Sequence, residues 1–540
     1  METNCRIGRV TFKPGFQPGA QASHGAAGGT LLPAYDAGAG TGRRQSAWLT
    51  TSSGVNTTVI AHAATLRNRA RHEIRTNPWA RQIKNRYVAN AIGTGIRPQS
   101  RHPDEAVRET LHEKWRDWTE ESDPEGVGDY YEQQALCVGG GFESGEVFVR
   151  LRPRSLAINP GDGPEVPLQV QVLEADHVPL AENRIGENGN IVIAGIEFDR
   201  QGRRRAYYMY REHPGEFLSQ RPRGWELERV PAAEILHLFV RERPGQVRGA
   251  PRLASVLARL HALDEYEDAE LLRKKIAAMF AAFIIPGVGE DGAPLVEEKP
   301  DSKGEVEITL EPGMSQVLPA GADIKFAEPA EVGTSYDPFM KWNLHGVAAG
   351  ADLTYEQVTG DLSDVNFTSL RAGLLENRRG FEQFQANTPV YQLNRPVWRL
   401  WLDQAALAGV TAASDYLANR RDYRRVKWVP QGWPWVDPEK EQKASLREVR
   451  AGFGSRSRVV AARGDDVEEI DREIAEDKAR ADNLGLTLDS DPSRVNLTGA
   501  TQAKPAGSAL PDPAEEAGAV QPPAGGGDED KEKKGEEDDE

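Results

Sequence analysis

Residues 353–379 read LTYEQVTGDLSDVNFTSLRAGLLENRR. The texture changes within this stretch. Up to Thr368 it is polar, with Gly360, Asp361, Ser363, Asp364 and Asn366. Such residues favour turns, because their short side chains bond back to nearby backbone or because they tolerate left-handed conformations. From Ser369 the pattern becomes helical and runs to about Ala408, with Pro389 and Pro396 predicting kinks or breaks. A polar loop over 354–368 therefore feeds a long helix. The loop carries Asp361 and Asp364 but no lysine or arginine, while Arg371, Arg378 and Arg379 follow on the helix.

Upstream, residues 336–351 (YDPFMKWNLHGVAAGA) read as helix. Residues 285–333 are irregular and β-like, with VEITL, SQVLP and DIKFAEP separated by proline and glycine. Before them, Leu260, Leu263, Tyr266, Leu272, Ile276, Met279 and Phe283 repeat near a period of 3.6 and predict a helix over 251–284. About 25 residues at 1.5 Å each make a rod of roughly 38 Å. Its middle, Asp264 to Lys275, is charged, so the rod suits packing against other rods, including those of other subunits. The order is rod, small insert, rod, loop, long helix.

Further out, residues 145–239 read as an antiparallel, predominantly β region, with EVFVRLRPR, LQVQVLEAD, GNIVIAGIEFD and RRAYYMYREH and turns at Asn188-Gly189 and Gln201-Gly202. Residues 57–92 predict two helices divided at Asn77-Pro78, because asparagine caps well and proline restricts the residue before it. Gly93 and Gly95 close the second of them. Residues 104–119 predict an amphipathic helix with Val107, Leu111, Trp115 and Trp118 on one face. Residues 423–436 are aromatic and extended. Asp437 and Pro438 then start the first of two mostly polar helices, 438–451 and 465–484. Residues 1–45 and those after about 490, ending GDEDKEKKGEEDDE, have the composition of disordered segments.

The whole is an α+β chain of 540 residues, 39% hydrophobic and 28% charged, with apolar material enough for a large core. Length allows about three or four domains. A net charge of −17 argues against a general nucleic-acid binder, which would carry a basic surface to displace phosphate counterions. It leaves room for a conduit, where tight binding would stall transit. Cys5 and Cys137 provide neither a disulfide framework nor a zinc cluster, and they suit a reducing compartment. No signal peptide and no membrane span are expected; the nearest candidate, Ile276 to Val288, is short and holds Pro286.

No catalytic, cofactor or metal site is expected from the motifs. The ten histidines are scattered, without HExxH spacing. GGGFESGE (139–146) lacks the lysine of a phosphate loop and reads as a turn. His237 in ILHLF reads as a satisfied core residue rather than a ligand. Asp361 and Asp364 read as solvated carboxylates. A hydrolase site assembled from scattered carboxylates and histidines remains the alternative, since folds bring distant residues together.

Several blocks, in order, resemble the lambda-type phage portal family. They are IRTNPWARQIKNRYVANAIGTGIRPQSR, WRDWTEESDPEG with SGEVFVRLRPR, VLEADHVPL, IVIAGIEFDRQGRRRAYYMYREHPGE, ILHLFVRERPGQVRGAPRLASVL, the opening 353–379 stretch and WVPQGWPWVDPEKE. They span residues 35–487; Phe367 and Thr368 depart from the commoner tyrosine-like and serine positions. The resemblance implies a subunit of a ring of about twelve copies. It implies a disordered arm (1–45), a β-rich wing (46–254), a first stem helix (255–284), a clip (285–335) and a second stem helix (336–351). A tunnel loop (352–368), a kinked tunnel helix returning to the wing (369–437), a helical crown (438–487) and a disordered acidic tail (488–540) complete the chain. In that scheme Asp361, Ser363, Asp364, Asn366 and Thr368 line the channel. Arg371, Arg378 and Arg379 contact phosphate or, the favoured reading, pair with acidic neighbours between subunits. The implied partners are copies of the chain, the large terminase subunit, the major capsid protein, head–tail adaptors and, transiently, double-stranded DNA. The implied location is a capsid vertex, after synthesis in a bacterial cytoplasm. A different virion component, such as an adaptor, fits the rod–insert–rod order less well.

Overall fold

In the computed structural model the described residues are 52–153, 165–186, 189–216, 226–278, 282–285, 323–326, 336–433 and 437–486. The expected arm 1–45, most of the expected insert 285–335 and the acidic tail 488–540 lie outside them.

The first two helices, α1 (Val55–Thr76) and α2 (Pro78–Ala91), divide at Asn77. Its side chain accepts hydrogen bonds from the Trp79 and Ala80 N–H groups at 2.9 and 3.2 Å, and Pro78 occupies the first turn, where a missing N–H costs nothing. After β1 (Arg97–Ser100), Asp104 caps α3 (Glu105–Glu121), which buries Leu111, Trp115 and Trp118.

Residues 139–146 are not the expected turn. Gly139, Gly140 and Gly141 lie inside α4 (Tyr130–Ser144). The reason is close packing. A Cβ on Gly139 would lie 3.3 Å from Lys84 on α2, and one on Gly140 3.4 Å from Val147 on the next strand. Only Gly145 turns the chain, with φ +88 at the helix end.

The β region forms two antiparallel sheets. β2 (Glu146–Pro153) is the central strand of one, between β3 (Leu168–Glu174) and β9 (Ile235–Phe239). The other runs in chain order through β4 (Arg184–Ile185), β5 (Ile191–Ile193), β6 (Ile196–Phe198), β7 (Arg204–Tyr210) and β8 (Leu227–Pro231). Phe148, Tyr207, Met209 and Val230 pack between them.

The expected rod ends early. α5 covers Leu257–Ala278, and Ala282–Ile285 is instead a strand, β10, paired antiparallel with β11 (Asp323–Phe326). The run AFII is β-branched at its end and Pro286 follows, so ladder pairing beats the helical spacing of Met279 and Phe283. Leu272, counted on the apolar face, is exposed. α5 packs with α6 (Tyr336–Gly350) and α1 around Leu260, Leu263, Met340, Leu344 and Val347.

The expected loop 354–368 is shorter. It contains a one-turn helix, α7 (Tyr355–Thr359), and α8 (Phe367–Gln385) begins before its expected end. From α8 the chain stays helical through a π-helical segment, Ala386–Asn394, into α9 (Arg395–Ala408). Pro389 lies inside the π segment, so the first expected kink is a widened turn. Pro396 sits in the first turn of α9 and breaks nothing. Val397, Trp398, Trp401 and Leu402 then enter a core with Trp115, Trp118 and Tyr130.

After α10 (Ala413–Ala418) and α11 (Arg420–Tyr423), β12 (Val426–Val429) returns to pair with β1. The C-terminal part has three helices rather than two: α12 (Pro438–Arg450), α13 (Arg456–Ala462) and α14 (Val467–Asn483). Asp437 caps the first, as its sequence predicts.

Candidate functional site

The segment between α6 and α8 is built by local hydrogen bonds. Asp352 takes a left-handed φ of +59, turning the chain off α6. Thr354 and Gln357 form a reciprocal capping box that starts α7, and Gly360 at φ +74 ends it. Gln357 also donates to Asn377 of α8 at 3.2 Å, and Asn377 donates to the Asp352 carbonyl at 2.8 Å. The one-turn helix is thereby tied to the long one.

Only residues 360–366 remain as loop. Asp361 accepts from the Ser363 N–H at 3.0 Å, the Ser363 hydroxyl at 2.6 Å and the Tyr355 hydroxyl at 3.4 Å. These bonds, the Ser363 hydroxyl first, hold its carboxyl below the ordinary aspartate value. Asp364 pairs with Lys341 of α6, and that bond raises the lysine's pKa. Lys341 also lies 5.8 Å over the Tyr355 ring, and His345 stacks on that ring at 4.2 Å. The loop is thus fastened to α6 through one carboxylate and curled on itself through the other. Leu362 points into solvent, 57% exposed. Asn366 is the cap of α8, accepting from the Ser369 N–H at 2.9 Å, and Thr368 lies in the first helical turn.

Of the five expected channel-lining residues, Asp361, Ser363 and Asp364 lie in the loop proper, while Asn366 and Thr368 belong to the helix start. Lys341 was missed. It supplies the cation that residues 354–368 lack, from a helix 23 positions earlier, and nothing in the local sequence marks the pairing.

The three arginines have partners within the same chain. Arg371 lies 3.3 Å from Glu441 of α12. Arg378 lies 5.3 Å over the Trp433 ring. Arg379 pairs with Glu376 at 3.0 Å on the exposed face of α8. Arg371 therefore joins the helix after the loop to the C-terminal helices.

Among the described residues, Glu174, Asp176 and His213 converge within 4.8 Å, as metal ligands would. Arg71 contacts both carboxylates at 2.7 and 2.8 Å, and Arg67 reaches Asp176 at 3.0 Å. Two guanidiniums already neutralise this cluster and would oppose a divalent cation. Glu146, His237 and Arg248 form a second, fully buried group. Arg248 donates to Glu146 at 2.7 Å and to the Ala194 carbonyl at 2.6 Å; His237 Nε2 lies 2.9 Å from Glu146. No substrate reaches a group with side-chain exposures of 0–1%. It ties β2 and β9 to the segment carrying Arg248. Burial pushes the Cys137 thiol far up, which suits an inert core residue rather than a nucleophile. Among the described residues no helix is long and apolar enough to cross a membrane.

Comparison with known proteins agrees with the sequence blocks. The sequence model "Phage portal protein, lambda family" matches residues 41–385. The probable portal protein of Halomonas phage phiHAP-1 is 27% identical over 432 residues, covering 78% of this chain and 81% of that protein. Portal protein B of Escherichia phage lambda is 24% identical over 316 residues, 53% of this chain and 58% of that protein. A chain from the neck of a native gene transfer agent particle, computed with C12 symmetry, aligns at 15% identity with a TM-score of 0.41, over 74% of this chain and 93% of that one. With the family's sequence model matched over more than half its length, this chain belongs to the lambda family of phage portal proteins.

Proposed function

We propose that copies of this chain form a ring at a single capsid vertex and that DNA passes through its centre during packaging and ejection. About twelve copies would close it. The observation that carries this reading is the order α5, insert, α6, short loop and α8, within the stretch the portal family matches, with α8 continuing unbroken into α9 beyond it. In this reading α5 and α6 are the stem, β10 and β11 belong to the clip, and the two sheets with α1–α4 form the wing. Residues 360–366 are the channel constriction, and α12–α14 are the crown.

The loop's chemistry suits passage rather than grip. Its two carboxylates repel phosphate, and its nearest lysine is engaged by Asp364. The chain acts as a conduit and docking platform, and the driving force comes from a terminase bound at the clip. The major capsid protein surrounds the wing, and head–tail adaptors replace the terminase after packaging. The chain is made in the bacterial host and ends in the virion.

The test is negative-stain electron microscopy of the purified chain with two-dimensional classification. Rings with a central hole and about twelvefold symmetry are expected. Compact monomers across salt and concentration would overturn the reading.

A further inference from the structure

The C-terminal helices have almost no core. Among the described residues of 437–486, Ala481 is the one buried side chain. Leu446, Ile474, Leu484 and Leu486 stand exposed, and Phe453 is 81% exposed. A unit of this size that buries so little apolar surface cannot offset the entropy of ordering its helices.

Its attachment to the body is polar. Arg108 meets Glu468 at 3.1 Å, Arg472 meets Glu109 at 3.1 Å, and Arg371 meets Glu441 at 3.3 Å. These contacts fix the start of α12 and the first turns of α14. From Asp471 to Asn483 every residue of α14 except Ala481 is exposed, so most of the helix projects.

α14 carries a line at helix-packing spacing. Val467, Ile470, Ile474, Asp477, Ala481 and Leu484 follow one another at alternating steps of three and four; Val467 and Ile470 are half-buried and Ala481 buried within the chain, which leaves Ile474 and Leu484 as its exposed apolar members. α12 presents a second apolar line, Leu446, Val449 and, just beyond its end, Phe453. The charges divide as well. Residues 438–463 hold seven basic and three acidic side chains, whereas α14 holds three basic and seven acidic. A unit whose first two helices are basic in sum and whose third is acidic can complement the next copy in a rotated series, the head-to-tail relation that closes rings.

We propose that the α14 line of each copy packs on the Leu446–Phe453 face of the neighbouring copy, acidic helix against basic helices, and that this collar supplies the core the unit lacks. The proposal rests on the ring reading above. The stretch 487–540 is a poor occupant, being strongly acidic and without aromatic residues, isoleucine or methionine.

The test uses the full-length chain carrying Leu446→Cys and Ile474→Cys, with Cys5→Ser and Cys137→Ala to remove native thiols. Mass photometry first establishes whether rings are present. Mild oxidation with copper phenanthroline and a non-reducing gel follow. The expected result is a ladder of crosslinked copies, absent from either single-cysteine chain. Rings without a ladder, or a crosslink confined to one chain, overturn the collar while leaving the ring intact. Monomers alone overturn both. Hydrogen exchange on rings of the unsubstituted chain is the independent check. Amides of 471–483 should exchange at least tenfold more slowly than in Phe453→Asp/Ile474→Asp rings, and equal exchange overturns the collar.

Discussion

His237 lies between the rings of Phe148 and Phe239, its Nε2 against Glu146, and among the described residues its Nδ1 has no hydrogen-bond partner. Burial, helped by the nearby Arg204 and Arg248 charges, outweighs the pull of Glu146 and pushes the imidazole pKa down to about 4. Burial alone would raise the Glu146 carboxyl, but Arg248 and His237 outweigh it and hold it low. The unfolded chain takes up the histidine proton from about pH 6.5 downwards, whereas the folded chain resists until about pH 4. Stability is therefore full above that window and falls as pH drops through it. His237→Gln keeps a donor toward Glu146 but cannot titrate. Its thermal midpoint should lose the share of the wild-type slope between pH 6.5 and pH 4 that His237 supplies, leaving the shares of the other depressed histidines, His112 and His177. An unchanged slope would place the titrating group elsewhere. Arg248→Met should cost about 3–5 kcal/mol in a denaturant titration, because it leaves a buried carboxylate without its counter-charge. The sequence showed half of this. ILHLF marks His237 as a core residue, but its partner lies 91 positions away and nothing nearby announces it.

At the scale of the element, local signals served where local physics decides. Asn77-Pro78 and Asp437-Pro438 mark helix starts because capping is settled within four residues. They failed where a distant surface decides. Three glycines read as a turn until α2 and β2 are in place, and the strand 282–285 needs a partner some forty residues later. The glycines of and after α4 divide sharply under substitution. Gly141 has helical backbone and nothing within 4 Å of an added Cβ, so Gly141→Ala should stabilise by about 0.5–1 kcal/mol. Gly145 has φ +88, and a Cβ there would meet the Ala250 backbone at 2.4 Å, so Gly145→Ala should destabilise by more than that gain. Urea midpoints of the two variants, moving in opposite directions, are the check.

Across the whole molecule, the order of parts was legible and their joints were not. The β1–β12 pairing and the α3–α14 and α8–α12 ion pairs each link segments far apart in sequence, and composition carries no trace of which charge meets which. The joint between α3 and α14 makes a prediction at this scale. Glu468→Arg sets two cations together and should speed amide exchange over residues 470–473, the first hydrogen-bonded amides of α14, while the α9 amides stay unchanged. Adding Arg108→Glu should restore protection by recreating the pair in reverse. Failure of the double variant to recover would remove this pair from the joint.

The helix that begins at Phe367 runs to Ala408 without a break, braced near its loop end through Arg371 and Asn377 and bedded among tryptophans at the other. It is a propped cantilever. A load on residues 360–366 travels along one rod to Trp398 and Trp401 instead of dissipating in a flexible joint. The π turn around Pro389 sets the phase of that rod. Each residue added to or removed from a turn rotates everything beyond it by about 100°. The exposed face of α8 and the face α9 shows to the core are therefore geared to each other, and neither can be re-aimed alone.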